Sequence, residues 1–189
     1  MTMHSALFLD RDGVLIEDKH YLEAPDAVQL IPGAREALVQ AIELGARLFL
    51  LTNQSGVGKG YFPIASVHAC NERMLALLDL PEPGFTGIKV APETPYQAQL
   101  YRKPSPRFIV EMIADHDLDP ELCVMMGDRY TDLQAGWNAG IHAVAVQTGQ
   151  FLDSQTMALI ARRGGGVFAS LARWMQVEGK KRLAAFKAD

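Results

Sequence analysis

The chain has only two cysteines among 189 residues, Cys70 and Cys123. That excludes a disulfide framework and, for these residues alone, a four-cysteine zinc site. It also lacks a basic excess: 18 Lys and Arg stand against 22 Asp and Glu, for a net charge of −4. A general nucleic-acid binder should lean the other way. Long apolar runs are missing too. The first, Ala6-Leu7-Phe8-Leu9, is cut short by Asp10, Arg11 and Asp12, too early for a signal h-region and far too early for a membrane span. The expectation is a cytoplasmic protein without membrane partners. What is present is ordinary globular composition, 49% hydrophobic and 21% charged, in a length suited to one core of α/β type.

Short apolar runs alternate with helical patterns. Ala6–Leu9 reads as a strand buried on both faces and Cys123–Met126 as another buried strand, and Leu48–Leu51, Ile88–Ala91 and His142–Val146 read as further strands. Between them, Leu38, Ala41 and Ile42 mark one helix, closed by Gly45 as a left-handed C′ residue. Val67, Met74, Leu75 and Leu78 mark a second over about 64–80, and Phe108, Ile109, Met112 and Ile113 a third. Ser105-Pro106 has the chemistry of an N-cap with proline in the first helical position. A further helix spans about Asp132 to Ala139, stopped by Gly140. A short strand and the helix around Ser170–Val177 follow Gly164-Gly165-Gly166. The alternation predicts a doubly wound, mainly parallel α/β sheet of Rossmann-like form. One domain is expected over 1–179, with a solvated tail or frayed helix over 180–189.

In such sheets function gathers where strands end at their carboxyl ends. Three predicted strands end in polar strings: Asp10-Arg11-Asp12-Gly13, Thr52-Asn53-Gln54-Ser55-Gly56 and Gly127-Asp128-Arg129. A fourth string, Arg102-Lys103-Pro104, leads into a helix. Carboxylates at i and i+2 repel unless a positive charge lies between them or one is protonated. A hard divalent cation with oxygen ligands would resolve that, with Asp128 as a further ligand. Gly13 permits a sharp reversal and close backbone approach to an anion. Thr52 and Asn53 offer a hydroxyl and N–H groups to phosphate oxygens, and Lys103 a point charge. Alone, each string also suits a solvated turn or a cap; their order at successive strand ends is what points to one site.

Two other motifs fail. Gly56-Val57-Gly58-Lys59-Gly60 has Asn53 and Gly60 where a P-loop needs Gly and Ser/Thr. Asn53-Gln54-Ser55-Gly56-Val57 lacks both glycines of a nucleophile elbow. The five histidines show no metal-ligand spacing, and Met125-Met126 suits core filling.

The set Asp10-Arg11-Asp12-Gly13-Val14, Thr52-Asn53, Lys103 and Gly127-Asp128 with Asp132 resembles the four ordered motifs of the haloacid dehalogenase (HAD) superfamily, from Leu7 to about Val146. The longer strings are similar to the branch holding heptose bisphosphate phosphatases and histidinol-phosphate phosphatases; Tyr21, Phe62 and Gly58–Tyr61 resemble the former. The resemblance implies a phosphomonoester hydrolase with Asp10 as nucleophile and Asp12 as general acid and base. It implies Mg²⁺ held by Asp10, the Asp12 carbonyl and Asp128, with Asp132 in support. Thr52, the Asn53 amide and Lys103 would hold phosphoryl oxygens, and Arg102 a second anionic group.

Many relatives carry a Cys/His zinc loop before the Arg-Lys-Pro string, whereas Ala91 to Tyr101 here has neither residue. No structural zinc is therefore expected, and the loop should be held by Pro92, Pro95, Tyr96 and Tyr101. The segments after Gly13 and after Ala91 are too short for a cap domain. A capless, open site is expected, bordered by Lys19–Pro25 and Gly56–Phe62. The leading substrate class is a sugar phosphate or bisphosphate, ahead of histidinol phosphate and then a 3′-phosphorylated polynucleotide. A non-hydrolytic phosphoacceptor module would share the aspartate, cation, Thr and Lys; Asp12 favours turnover.

Overall fold

The computed structural model describes residues 4–184. Six strands form one wholly parallel sheet: β1 His4–Leu9, β2 Arg47–Asn53, β3 Phe85–Ala91, β4 Leu118–Gly127, β5 His142–Val146 and β6 Val167–Phe168. Their order is β3-β2-β1-β4-β5-β6, so the winding direction reverses between β1 and β4. Crossover helices return the chain each time: α1 Ala34–Glu43, the short α2 Ser55–Gly58, α3 Ile64–Leu78, α4 Arg107–Asp115, α5 Tyr130–Asn138 and α6 Ser154–Arg162. Past β6 come α7 Leu171–Trp174, a π-helical turn over Met175–Gly179, and α8 Lys180–Ala184.

The continuous apolar runs are explained by a sheet covered on both faces. Leu7, Leu9, Leu48, Leu50, Val124 and Met126 face a core shared with α1, α3 and α7. Their sequence neighbours Ala6, Phe8, Phe49, Leu51, Cys123 and Met125 face the opposite core, under α4 and α5. There Phe8 and Phe49 stack with centroids 4.9 Å apart, and Phe108 meets Phe8 edge-on at 6.4 Å. Both cysteines are buried and unpaired in these cores.

Four expectations change in detail. The helix after Pro104 starts at Arg107 with Pro106 as N-cap. Ser105 donates its hydroxyl to the Leu100 carbonyl at 2.9 Å and accepts the Arg107 N–H at 3.4 Å, which ties the preceding loop to the start of the helix. Of the tail or frayed helix expected over 180–189, Lys180–Ala184 is helical, and Leu183 packs it into the α1 core rather than leaving it solvated; residues 185–189 lie outside the described part. Tyr96 does not hold the zinc-less loop, being 96% exposed. Glu93 does so: its Oε1 accepts the N–H groups of Leu100 and Tyr101 at 3.1 and 3.0 Å. Gln97 and Gln99 close the turn through the Thr94 N–H and carbonyl, and Lys89 sits 4.0 Å from the Tyr101 ring centre. Among the described residues no helix is long and apolar enough to cross a membrane.

Candidate active site

The reversal of strand order opens a crevice at the carboxyl ends of β1 and β4. A cavity of about 500 Å³ lies there, with Asp10, Asp12, Gln54, Arg102, Lys103 and Asp132 in its walls. Between β1 and α1 the chain forms an anchored loop, with Val14, Leu15, Ile16, Leu22 and Val28 in the core. The stretch from Pro92 to Pro106 is also loop. No inserted cap unit occurs among the described residues, and the cavity opens outward. Tyr21 and the Gly56–Phe62 segment meet at its edge, where Lys59 Nζ donates to the Tyr21 hydroxyl at 2.8 Å.

The floor is built from buried charge. Lys103, 1% exposed, brings Nζ to 2.7 Å from both Asp10 Oδ1 and Asp132 Oδ1. Burial works against its charge, yet the two carboxylates hold its pKa above the usual lysine value. The Asn53 side chain positions it: Asn53 Oδ1 accepts the Lys103 N–H at 2.9 Å, and Asn53 Nδ2 donates to the Lys103 carbonyl at 3.1 Å. Asp132, on the first turn of α5, accepts the Arg129 N–H through Oδ2 at 2.9 Å. Burial raises its pKa, against the pull of Lys103.

Asp128 is fully buried beneath this floor. Its Oδ2 accepts the Gln150 N–H at 2.7 Å, while Oδ1 has no hydrogen-bond partner. Burial, then Asp10 and Asp132, push its pKa up to about 7. Carboxylate oxygens of Asp10, Asp128 and Asp132 lie within 4.8 Å of one another. An all-oxygen cluster with one buried, unpartnered oxygen fits a hard divalent cation, whose charge would reverse the penalty that Asp128 carries. Glycine makes the packing possible. A Cβ on Gly13 (φ +78°) or on Gly149 would fall on the Asp128 carboxylate.

Asp12 stands apart from this cluster. Arg11 Nε and Nη2 reach its two oxygens at 3.0 and 3.1 Å, and Gln54 Nε2 donates to Oδ2 at 3.0 Å. Burial raises the Asp12 pKa, Arg11 opposes that rise, and Asp10 adds to it. Thr52 is buried behind Gln54, its hydroxyl oxygen accepting Gln54 Nε2 at 2.7 Å; that leaves the O–H free to donate. Arg102 lines the cavity and donates to the Glu93 carbonyl at 3.1 Å.

All eight expected site residues therefore gather at one end of the sheet. Several partners escaped the sequence reading. The end of β5 was the available signal: Thr148 Oγ1 donates to the Gly13 carbonyl at 2.6 Å, and Gln150 Nε2 donates to Asp18 at 2.7 Å. Asp18 also pairs with Arg129 at 2.9 Å. The buried Arg11 and Gln54 carry no short-range signal of their roles, and Asn71 carries only its place among the apolar positions of α3.

Known proteins bear on this geometry. The HAD-hydrolase-like family model matches residues 100–174. A D-glycero-D-manno-heptose-1,7-bisphosphate 7-phosphatase of Thermosynechococcus vestitus is 36% identical over 76% of this chain and 79% of that protein. The histidine biosynthesis bifunctional protein HisB of Stenotrophomonas maltophilia is 31% identical over 79% of this chain but only 42% of that protein. A D,D-heptose 1,7-bisphosphate phosphatase from B. bronchiseptica, crystallised with magnesium and phosphate, superposes with a TM-score of 0.80. It is 27% identical, covering 94% of this chain and 99% of that one.

Proposed function

The chain belongs to the HAD-like phosphatases, and on that premise we propose that it removes the 7-phosphate from D-glycero-D-manno-heptose 1,7-bisphosphate through an aspartyl phosphate on Asp10. The helices through α8 act with the sheet as one catalytic unit. The observation that carries the chemistry is Lys103 bridging Asp10 and Asp132 beside the unpartnered Asp128 oxygen. The names of the relatives support the substrate.

Asp10 attacks phosphorus in line, so its Oδ–P bond forms as the ester P–O bond breaks. Asp12 gives the departing alkoxide its proton. As a carboxylate, Asp12 then takes a proton from water, whose oxygen attacks phosphorus and releases Asp10 and inorganic phosphate. Lys103 offsets the repulsion between an aspartate and a dianionic phosphate. Thr52 donates its free O–H toward the phosphoryl group, and Asn53 serves by placing Lys103. Asp10, the Asp12 carbonyl and Asp128 would hold Mg²⁺, with Asp132 in support. When bound, the ion supplies positive charge to the phosphoryl oxygens.

The open cavity suits an extended substrate. Arg102 and Arg129 in its wall favour a second phosphate over the ammonium and imidazole of histidinol phosphate, the competing substrate that the sequence resemblance implies. Phosphate release with Mg²⁺ should be faster from the heptose bisphosphate than from histidinol phosphate or a 3′-phosphorylated oligonucleotide. Faster release from either of the latter two rejects the substrate assignment, and release from none rejects the activity.

A further inference from the structure

Asp10 and Asp12 leave the same strand end, yet only Asp10 joins Asp128 and Asp132 in the cation-binding group among the described residues. Something divides the two carboxylates. Arg11 lies between them in sequence, and its side chain is 1% exposed. Its backbone carbonyl accepts the N–H groups of Leu15 and Ile16 at 2.9 and 3.1 Å, so the turn is wound around it. Its guanidinium grips Asp12 with two nitrogens and gives the third, Nη1, to Asn71 Oδ1 at 2.9 Å. A guanidinium fork is planar and fixes the plane of the carboxylate it pairs with.

Asn71 has no local reason to be where it is. It sits on α3 in a buried stripe with Val67, Cys70, Met74 and Leu78, and is itself 4% exposed. An amide in such a stripe costs stability; its oxygen is bonded to Arg11, and its Nδ2 has no hydrogen-bond partner among the described residues. We infer that Asn71 is a positioning residue: through Arg11 it holds the Asp12 side chain out of the cation cluster and turns it toward the leaving-group oxygen. The two aspartates thereby keep separate tasks, Asp10 beside the cation and Asp12 for proton transfer. This rests on the Asp12 assignment above, which the same experiment tests separately.

The test compares kcat/KM for the heptose bisphosphate, an alkyl ester whose leaving oxygen needs a proton, with that for 4-nitrophenyl phosphate, whose leaving group does not. This parameter reports the first chemical step, where Asp12 acts as acid. Asn71→Leu, or Asn71→Ala if leucine does not fold, should lower the alkyl ester about tenfold or more and the aryl ester by less than about twofold. Asn71→Asp, which keeps the oxygen facing Arg11, should restore the ratio. Equal losses on both esters, or no loss on either, overturn the inference. Asp12→Asn run in parallel separates the two readings. If it too lowers both esters alike, the Asp12 assignment fails; if it is selective and Asn71→Leu is not, the Asn71 inference alone fails.

Discussion

The floor and the rim of the cavity are built on opposite principles. Lys103, Asp128 and Asp132 on the floor are at most 1% exposed, whereas Tyr21 and Tyr61 on the rim are 47% and 59% exposed. A buried charge survives only with partners: Lys103 is held by Asp10 and Asp132, and Asp128 accepts the Gln150 N–H. Exposed pairs such as Lys59 with Tyr21 are screened by water and contribute little singly. The floor therefore carries the chemistry, and the rim is where substrate choice can vary without unmaking the site.

Substitutions can break or sharpen that contrast. The largest effect belongs to Asp10→Asn, which should abolish steady-state phosphate release while circular dichroism stays native. Substantial turnover by this variant would remove Asp10 as nucleophile.

Lys103→Met should cost activity and also about 3–5 kcal/mol of stability at neutral pH, because it strands Asp10 and Asp132 beside each other in a dry site. With the lysine gone, the Asp132 pKa, already raised by burial and held down by Lys103, rises further in the folded state. Stability is then favoured at low pH and lost as pH rises, so the deficit against wild type should shrink between pH 8 and pH 5 in thermal melts.

Asp128 predicts an intermediate effect. Its folded value of about 7 lies above the ordinary 3.8. Without the ion, protonated Asp128 favours the folded state between those values, and that stability declines as pH rises through the window. Mg²⁺ binding must displace the proton, so affinity measured by calorimetry should fall up to about tenfold per pH unit below pH 7 and level off above it. Asp128→Asn should weaken binding and flatten the profile.

The rim should give the smallest changes. Arg102→Ala should raise KM for the bisphosphate about fivefold, with kcat retained and a simple monophosphate little affected. Lys59→Ala should change either parameter less than about threefold. A rim variant as damaging as Lys103→Met would erase the contrast.

The same division governs what the sequence could tell. Strand ends were legible because Asp10, Thr52 and Asp128 each follow a short apolar run that stops abruptly, and Lys103 stands in a distinctive string. The fold followed from strand and helix alternation. Illegible were contacts made by topology rather than spacing. Arg11 and Asn71 are 60 positions apart, Asp18 and Gln150 are 132 apart, and neither pair marks its neighbours. Asn71 did leave one trace, a polar residue within a buried stripe, but helical periodicity registers only the apolar positions around it. In the loop after β3, aromatic size is a poor guide to what holds the turn. A carboxylate that accepts two backbone N–H groups does more to hold a turn than Tyr96, which faces solvent.

The central claim is a covalent phosphoryl group on Asp10, and the stereochemical course at phosphorus tests it most directly. With a phosphomonoester made chiral by oxygen isotopes, hydrolysed in water of the third isotope by the Mg²⁺-loaded enzyme, two successive in-line displacements predict overall retention. Inversion would mean that water attacks the substrate directly, and would contradict the account.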